Sequence, residues 1–475
     1  MAAGALATGG CVGRTAQAVP PPPAAASPAA TLLAASSSAL GSPRALRAAA
    51  AIEAEQSGPY NALEQSRLPA EPIGLVRRVY RWSFDYDRQR VIREAEQHFP
   101  GGIRFFTRTA LGPEGGWSVD LIGWRTGSDL GTANAQDALR NRVQWERFLP
   151  HLLLRQAEAA GDSLELAAPD RLRYRDAAGD TIEITLDPVT RRPASAAQIV
   201  NGVAQAELRY RDYVRRHRVM RPGQVQLYLG GRLIEDVALG STRTGALAES
   251  RFAPPAGYAP PPAPGAAGAR ALAPEVLYFE NMPGDYHSMA VDMGDHLVLI
   301  EAPLSPDYAA QQRRILEAMR PGKPVRYVLV THHHGDHNGG LRTWAEAGAT
   351  IVVPAGARVA IERQLRARGF TGETRIEEVE GRRSFGSGAS RLDAYSFASS
   401  HAASNLLMHL PGPRILFQGD LVHLPARGDV PPAFPIVREL VQQIEALGLG
   451  VDTIAGVHGR LGTREDVRRA IARAQ

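Results

Sequence analysis

The sequence predicts an α/β protein in two parts: an α+β antiparallel region, then a region in which strands and helices alternate. Three observations carry this expectation. Between residues 76 and 229, four short segments alternate apolar and polar residues at the strand period and are separated by glycine turns. Residues 254–274 are rich in Pro, Ala and Gly, the composition of a semi-stiff linker. Beyond residue 275, apolar strand-like runs alternate with amphipathic stretches, which implies sheets with helices packed outside.

At 475 residues the chain has room for two or three domains. Its 44% hydrophobic and 22% charged residues are ordinary for globular protein. The net charge of +5 is carried mainly by arginine, with no basic run interleaved with aromatics, so no nucleic-acid partner is expected. No apolar run reaches the ~18 residues of a membrane span. Cys11 is the single cysteine, which excludes an intramolecular disulfide.

Residues 1–42 read as a signal-like, disordered leader, 43–253 as an N-terminal domain, 254–274 as a linker, and 275–475 as a C-terminal domain. The first 18 residues are small and apolar and end in Ala16-Gln17-Ala18, like the tail of a secretory signal peptide. Gly9-Gly10-Cys11 resembles a lipid attachment site. Export, with a periplasmic destination, is the expectation; a cytoplasmic protein with a plain leader is the alternative. Residues 20–42, rich in Pro, Ala and Ser, read as disordered.

In the N-terminal domain, residues 44–56 read as a short helix and 76–84, 116–122, 180–186 and 224–229 as strands. Residues 134–160 read as helical, broken near Pro150. The expectation is an antiparallel sheet curved around a helix.

In the C-terminal domain, residues 275–279, 288–293 and 296–301 read as strands and 309–319 as a helix. The apolar run 327–330 then ends in Thr331 and releases His332, His334, Asp336 and His337 in the pattern H-x-H-x-D-H. Residues two apart in an extended segment point to the same side, which pairs His332 with His334. Gly335 lets the backbone turn, so Asp336 and His337 can face a second metal beside the first. A helix over 340–347, a strand over 350–353 and a helix over 355–368 follow. Three later segments also deliver ligand-type side chains at strand ends. Residues 392–397 lead to His401, 414–419 run into Asp420, and 451–457 run into His458. Imidazole with carboxylate suits zinc, and also iron or manganese. His423, Tyr286 and His287 are weaker candidates for the rim of the cleft. His333 should point away by alternation, and His409 belongs on a strand face.

This ligand set resembles that of the metallo-β-lactamase superfamily, over residues 275–475. The resemblance implies an αββα sandwich. It implies His332, His334 and His401 at one metal, Asp336, His337 and His458 at a second, and Asp420 bridging them. Two divalent ions, zinc in the first instance, are the implied cofactors. No cysteine stands near Asp420, so the ligands are closer to those of thioester-hydrolysing and related branches. Residues 283–291, 301–304 and 331–342 most resemble exported hydrolases of the superfamily. Glu301 stands where many members carry Asp, a structural position.

A second resemblance ends the N-terminal domain. Tyr210-Arg211-Asp212-Tyr213, Val219-Met220-Arg221-Pro222-Gly223, the hairpin across Gly230-Gly231, and Arg251-Phe252-Ala253-Pro254 look like the last strands of half-barrels related to the outer-membrane lipoprotein carrier. Arg218 to Arg221 depart from the usual glycine-containing turn. The resemblance implies a concave face for a lipid or other apolar ligand; a sheet that only packs on its neighbour is the alternative.

The functional expectation is a metal-dependent hydrolase acting on a small-molecule ester, thioester, lactone or amide through a metal-activated water, with Asp336 as ligand and general base. A non-haem iron oxidoreductase resembling persulfide dioxygenases, a nuclease, and a lipid-binding exported protein with a secondary metal site are the alternatives.

Overall fold

The computed structural model describes residues 26–122, 133–259, 265–425 and 429–474. The signal-like segment, Cys11 included, lies outside the described residues.

The N-terminal part is one open antiparallel sheet of twelve strands. It opens with helices α1 (Pro28–Leu40) and α2 (Pro43–Ala48), followed by β1 (Ala51–Leu63), β2 (Ile73–Asp85), β3 (Arg90–His98), β4 (Arg104–Gly112) and β5 (Gly115–Asp120). Helices α3 (Ala135–Glu146) and α4 (Pro150–Ala159) come next. Then β6 (Glu165–Ala168), β7 (Arg171–Arg175), β8 (Thr181–Leu186), β9 (Pro193–Val200), β10 (Val203–Arg216), β11 (Val219–Leu229) and β12 (Arg232–Thr244) return as a meander. β12 pairs with β1 and joins the two halves. The predicted break in the helical stretch is real: Asn134 caps α3 by accepting from the Asp137 amide at 2.9 Å, and Pro150 begins α4. One core holds Trp82, Phe84, Val91 and Leu111 from one half of the sheet, Leu172, Tyr174, Ile184 and Val225 from the other, and Leu33, Leu152 and Leu153 from the helices. Both halves of the sheet therefore wrap the same helices.

The C-terminal part has four layers. A seven-stranded sheet comprises β13 (Gly268–Ala273), β14 (Val276–Glu280), β15 (Met289–Asp292), β16 (Leu297–Ile300), β17 (Val325–Leu329), β18 (Thr350–Pro354) and β19 (Ile376–Val379), in that order. Helices α5 (Pro306–Met319), α6 (Leu341–Glu346) and α7 (Arg358–Ala367) cross over between its parallel strands. A five-stranded sheet comprises β20 (Arg382–Phe385), β21 (Leu392–Phe397), β22 (Asn405–Leu410), β23 (Ile415–Gln418) and β24 (Thr453–Gly456). Helices α8 (Pro435–Ala446) and α9 (Arg464–Arg473) cover it. Val298, Ile300 and Val352 meet Met408, Phe417 and Ala455 between the sheets. On the outer faces, Leu299 and Val353 meet Tyr308, Trp344 and Ile361, while Leu416 and Ile454 meet Leu440 and Val467. Strands buried on both faces read as continuous apolar runs, which is why β16 is buried throughout. The αββα expectation and the antiparallel N-terminal sheet both match.

The two parts are packed together. Ile103 enters the core beneath α8, beside Ile436 and Val437. The β1–β2 connection, residues 64–72, lies against the loop that follows β17, where the Gly335 amide donates to the Glu64 carbonyl at 3.1 Å. Among the described residues no helix is long and apolar enough to cross a membrane.

Three local expectations are corrected. Residues 28–40, read as disordered, form α1: Ser27 accepts from the Ala30 amide at 3.2 Å, Pro28 starts the helix, and Ala29, Leu33 and Leu40 are buried. Composition hid a spaced apolar face. Residues 44–56 are helical only to Ala48, because β1 pairs with β2 from Ala51↔Asp85 to Leu63↔Ile73. Two flanking strands there outweigh local helix propensity. The linker is not free throughout either: Gly268–Ala273 form an edge strand on β14 through backbone bonds, which small residues do not obstruct.

Candidate metal centre and its cavity

The site is built from the carboxyl ends of β17, β21, β23 and β24. Beyond β17, the Thr331 amide donates to Glu301 Oε1 at 2.6 Å, which fixes where the chain leaves the sheet. Glu301 is fully buried and has φ of +73°, an uncommon conformation for a residue with a side chain. Its Oε2 accepts from His337 Nδ1 at 3.2 Å. Asn338 Nδ2 donates to the carbonyls of His333 and His334 at 3.2 and 2.7 Å, closing the turn through Gly335.

All seven predicted side chains come together, in two groups that share Asp420. His332, His334, His401 and Asp420 offer donor atoms within 4.8 Å of one another, and so do Asp336, His337, Asp420 and His458. Asp420 Oδ2 lies 4.0 Å from His332 Nε2 and 3.3 Å from His401 Nε2. Its Oδ1 lies 3.1 Å from His337 Nε2 and 3.3 Å from His458 Nε2. One carboxylate thus turns one oxygen to each group.

The donor set fits two cations. Nε2 of His332, Nδ1 of His334 and Nε2 of His401 are buried without a hydrogen-bond partner. An unmet buried polar atom costs about 1–3 kcal/mol, and three converging ones need a common acceptor of lone pairs. The opposite ring nitrogens fix the tautomers. His334 Nε2 donates to the Ser66 carbonyl at 2.8 Å and His401 Nδ1 to the Pro100 carbonyl at 3.4 Å. Such outer contacts orient ligating imidazoles and set which nitrogen is free. Burial, reinforced by neighbouring histidines, holds His332 and His334 well below the usual imidazole pKa, so both keep a lone pair. Burial opposes charge on His337 too, but Asp420, Asp336 and Glu301 together push it well above its ordinary value. Burial would raise the Asp420 carboxyl, yet His337 and His458 hold it well below the usual range. The second group is a concentration of negative charge that favours a cation.

Ser66 and Pro100 belong to the N-terminal part, and so does Gln65. Gln65 Nε2 donates to Asp336 Oδ1 at 2.6 Å, while the Tyr286 hydroxyl donates to Oδ2 at 2.7 Å. The loop is tied down by Arg368 on Glu64 at 2.6 Å and by the Ala403 amide on the Arg67 carbonyl at 2.8 Å. Gly101, with φ of +82°, passes so close to His401 that a Cβ there would stand 3.2 Å from the His401 side chain.

A cavity of about 350 Å³ opens onto both groups. The N-terminal part lines one side with Tyr60, Leu63, Phe99 and Phe105, and the two donor groups form the other. Tyr286 stacks edge-on to His458 at 4.4 Å, and His423 lies 4.7 Å from His458 and 6.2 Å from Phe105. Both therefore rim the cavity. His287 does not: its Nδ1 donates to the Phe279 carbonyl at 3.1 Å, behind the site. His409 donates to the Gly450 carbonyl at 2.9 Å, on the strand face as expected. The His333 carbonyl accepts from Asn338 and Gln364, consistent with a part in holding the loop backbone. Glu301 proves to be more than a structural position, because it holds His337. Gln65, Ser66 and Pro100 had no signal in the sequence.

Residues 282–458 match the family model of the metallo-beta-lactamase superfamily. This stretch of the chain is a metallo-beta-lactamase superfamily domain. Among curated proteins, the chain is 26% identical over 189 residues to the 2,4-dinitroanisole O-demethylase subunit alpha of Nocardioides sp. (strain JS1661), covering 38% of this chain. The chain spans 55% of that relative's length. Among solved structures, it is similar to a metallo-beta-lactamase from Pontibacter korlensis, at 19% identity and a TM-score of 0.35 over 44% of this chain and 99% of that one. It is also similar to the metallo-beta-lactamase FIM-1 from Pseudomonas aeruginosa in its mono-zinc form, at 18% identity and a TM-score of 0.35 over 45% and 96% of the two chains.

Proposed function

We propose that the protein is a metal-dependent hydrolase of small, largely apolar ester, thioester, lactone or amide substrates. The observation that carries this reading is Asp420, whose two oxygens face two separate donor groups beneath one cavity. Two divalent ions held by these groups would supply a water of lowered pKa and an electrophilic pull on the substrate oxygen. His332, His334 and His401 would hold one ion, Asp336, His337 and His458 the other, and Asp420 both. Zinc is the proposed metal, since the donors are imidazole and carboxylate alone.

The chain's own residues do the rest. Asp336 is fixed on both oxygens by Gln65 and Tyr286, and each oxygen retains a lone pair. It can accept a proton from a water placed between the groups. Phe99, Phe105 and Tyr60 exclude bulk water from one side and give an aromatic or aliphatic substrate a surface to lie on. The relative named for O-demethylation of 2,4-dinitroanisole adds aryl methyl ethers to the classes worth assaying.

The test is a panel of these substrates with metal content measured on the same sample. Two zinc ions per chain are expected, with activity falling at least about 100-fold in Asp336→Asn, in line with loss of a general base. One iron per chain with oxygen consumption would overturn the hydrolase reading, as would full activity in the variant.

A further inference from the structure

A second cavity, of about 330 Å³, lies between the N-terminal sheet and the end of α3. Trp82, Trp145, Phe148, Leu208 and Leu227 line it. Its charged residues are mostly neutralised in place. Arg78 is paired with Glu235, which also accepts from the Tyr80 hydroxyl at 2.8 Å. Arg147 is paired with Asp176, and Glu207 with Arg209 at 2.9 Å. Arg93 remains. Its guanidinium lies 4.1 Å over the Trp145 ring, its Nε is buried with no hydrogen-bond partner, and no carboxylate pairs with it among the described residues. Burial pulls its pKa down.

Arg93 is half-buried, and Glu235 and Tyr80 attract it from beyond pairing distance, so its charge is only partly offset; an anion brought by a ligand would complete the offset and partner its buried N–H. The Trp145 face already holds the guanidinium in place, so its N–H groups are available without further ordering. Glu235 limits the charge a ligand can carry. Its Oε2 is buried and also lacks a partner, so a second negative group beside it would be repelled.

We propose that this second cavity is a binding site for an organic monocarboxylate with an apolar body, its carboxylate held by Arg93 and its body among Trp82, Trp145, Phe148 and Leu227. The site does not depend on the metal-centre reading. Arg78 lines both cavities, and its pair with Glu235 stands between them.

The test is isothermal titration of the full chain with octanoate and with 1-octanol, on protein as purified and on protein stripped by a chelator. One octanoate per chain is expected, bound at least about tenfold tighter than 1-octanol, the worth of one charge-assisted contact. Arg93→Gln removes the unpaired cation, so the variant should keep its fold, which thermal unfolding checks. It should weaken octanoate about tenfold and leave 1-octanol within about twofold. Leu229, 46% exposed at the cavity wall, offers a second variant: Leu229→Glu should weaken octanoate by electrostatic repulsion without disturbing the core. Octanoate no tighter than octanol, or unchanged in both variants, would overturn the proposal. Octanoate binding that disappears on stripping would also do so, since the carboxylate would then sit at the metal centre.

Discussion

Replacing Gln65 with leucine separates the two donor groups experimentally. The substitution removes one contact, the 2.6 Å bond from Gln65 Nε2 to Asp336 Oδ1, and nearly preserves side-chain size. A hydrogen bond to a charged acceptor contributes about 1.5–3 kcal/mol, which is roughly 10- to 100-fold in an equilibrium constant. Two features place the effect at the lower end. Tyr286 still holds Oδ2, and the Asp336 side chain is 25% exposed, so water can replace the lost donor. The expectation is a loss of about tenfold in affinity at the group containing Asp336, His337 and His458. The group of His332, His334 and His401 should be unaffected, because its contact with this loop is the Ser66 carbonyl, which the substitution does not alter. The assay is chelator competition on zinc-loaded protein, read as metal remaining per chain. The weaker step should move and the tighter one stay. If neither step moves, the Gln65 contact does not orient Asp336. If both move together, the substitution has displaced the loop and the argument for a local effect fails.

Two further outcomes concern the scaffold. Leu33→Ala empties a site only 6% exposed on α1, and should cost about 2–5 kcal/mol, seen as a lower urea midpoint for the N-terminal transition. A change under about 0.5 kcal/mol would return residues 28–40 to the disorder that their composition implies. Asp466 caps α9 through Thr463, and its carboxyl is held below the usual range by Arg460 first, with Arg469 and Thr463 adding to it against burial. A depressed folded pKa gives stability that is present above the unfolded value near 4 and lost as pH falls. Asp466→Asn should therefore destabilise at pH 7, by about 1–2 kcal/mol, and the gap to wild type should narrow below about pH 4 in denaturant titrations. A gap independent of pH would show that charge on Asp466 plays no part.

The candidate metal-holding residues were legible in the sequence because their chemistry lies in side-chain type and in position at strand ends. β17, β23 and β24 are short apolar runs, and just beyond each stands a His or Asp that a buried sheet would not otherwise place there. The four-layer C-terminal part was legible for the same reason, since strands covered on both faces cannot alternate in polarity. The N-terminal part was harder. β1 carries Glu53, Glu55 and Gln56, and only its pairing with β2 and β12 makes it a strand. The outer contacts of the site had no signature at all. Ser66 and Pro100 act through backbone carbonyls, which every residue possesses, so no residue type marks them. Glu301 was visible but misjudged, because its partner His337 lies 36 residues away and only the fold brings them together.

These contacts change what the N-terminal sheet is for. A sheet that merely packed against the metal domain would bury apolar area and leave the ligands to their own domain. Here residues 65 and 66 reach one histidine of the first group and the aspartate of the second, and the turn at Pro100 and Gly101 reaches another histidine of the first. The segments flanking those contacts also supply Leu63, Phe99 and Phe105 to the cavity wall. In the proposed enzyme, metal geometry and substrate fit would therefore be set by the same two stretches of chain. A substitution at Leu63 or Phe99 that reshapes the wall also strains the backbone carrying the carbonyls of Ser66 or Pro100, a residue or a few away. Changes in substrate preference and in metal affinity at this centre are thus expected to come together, because the N-terminal sheet is one of its two walls.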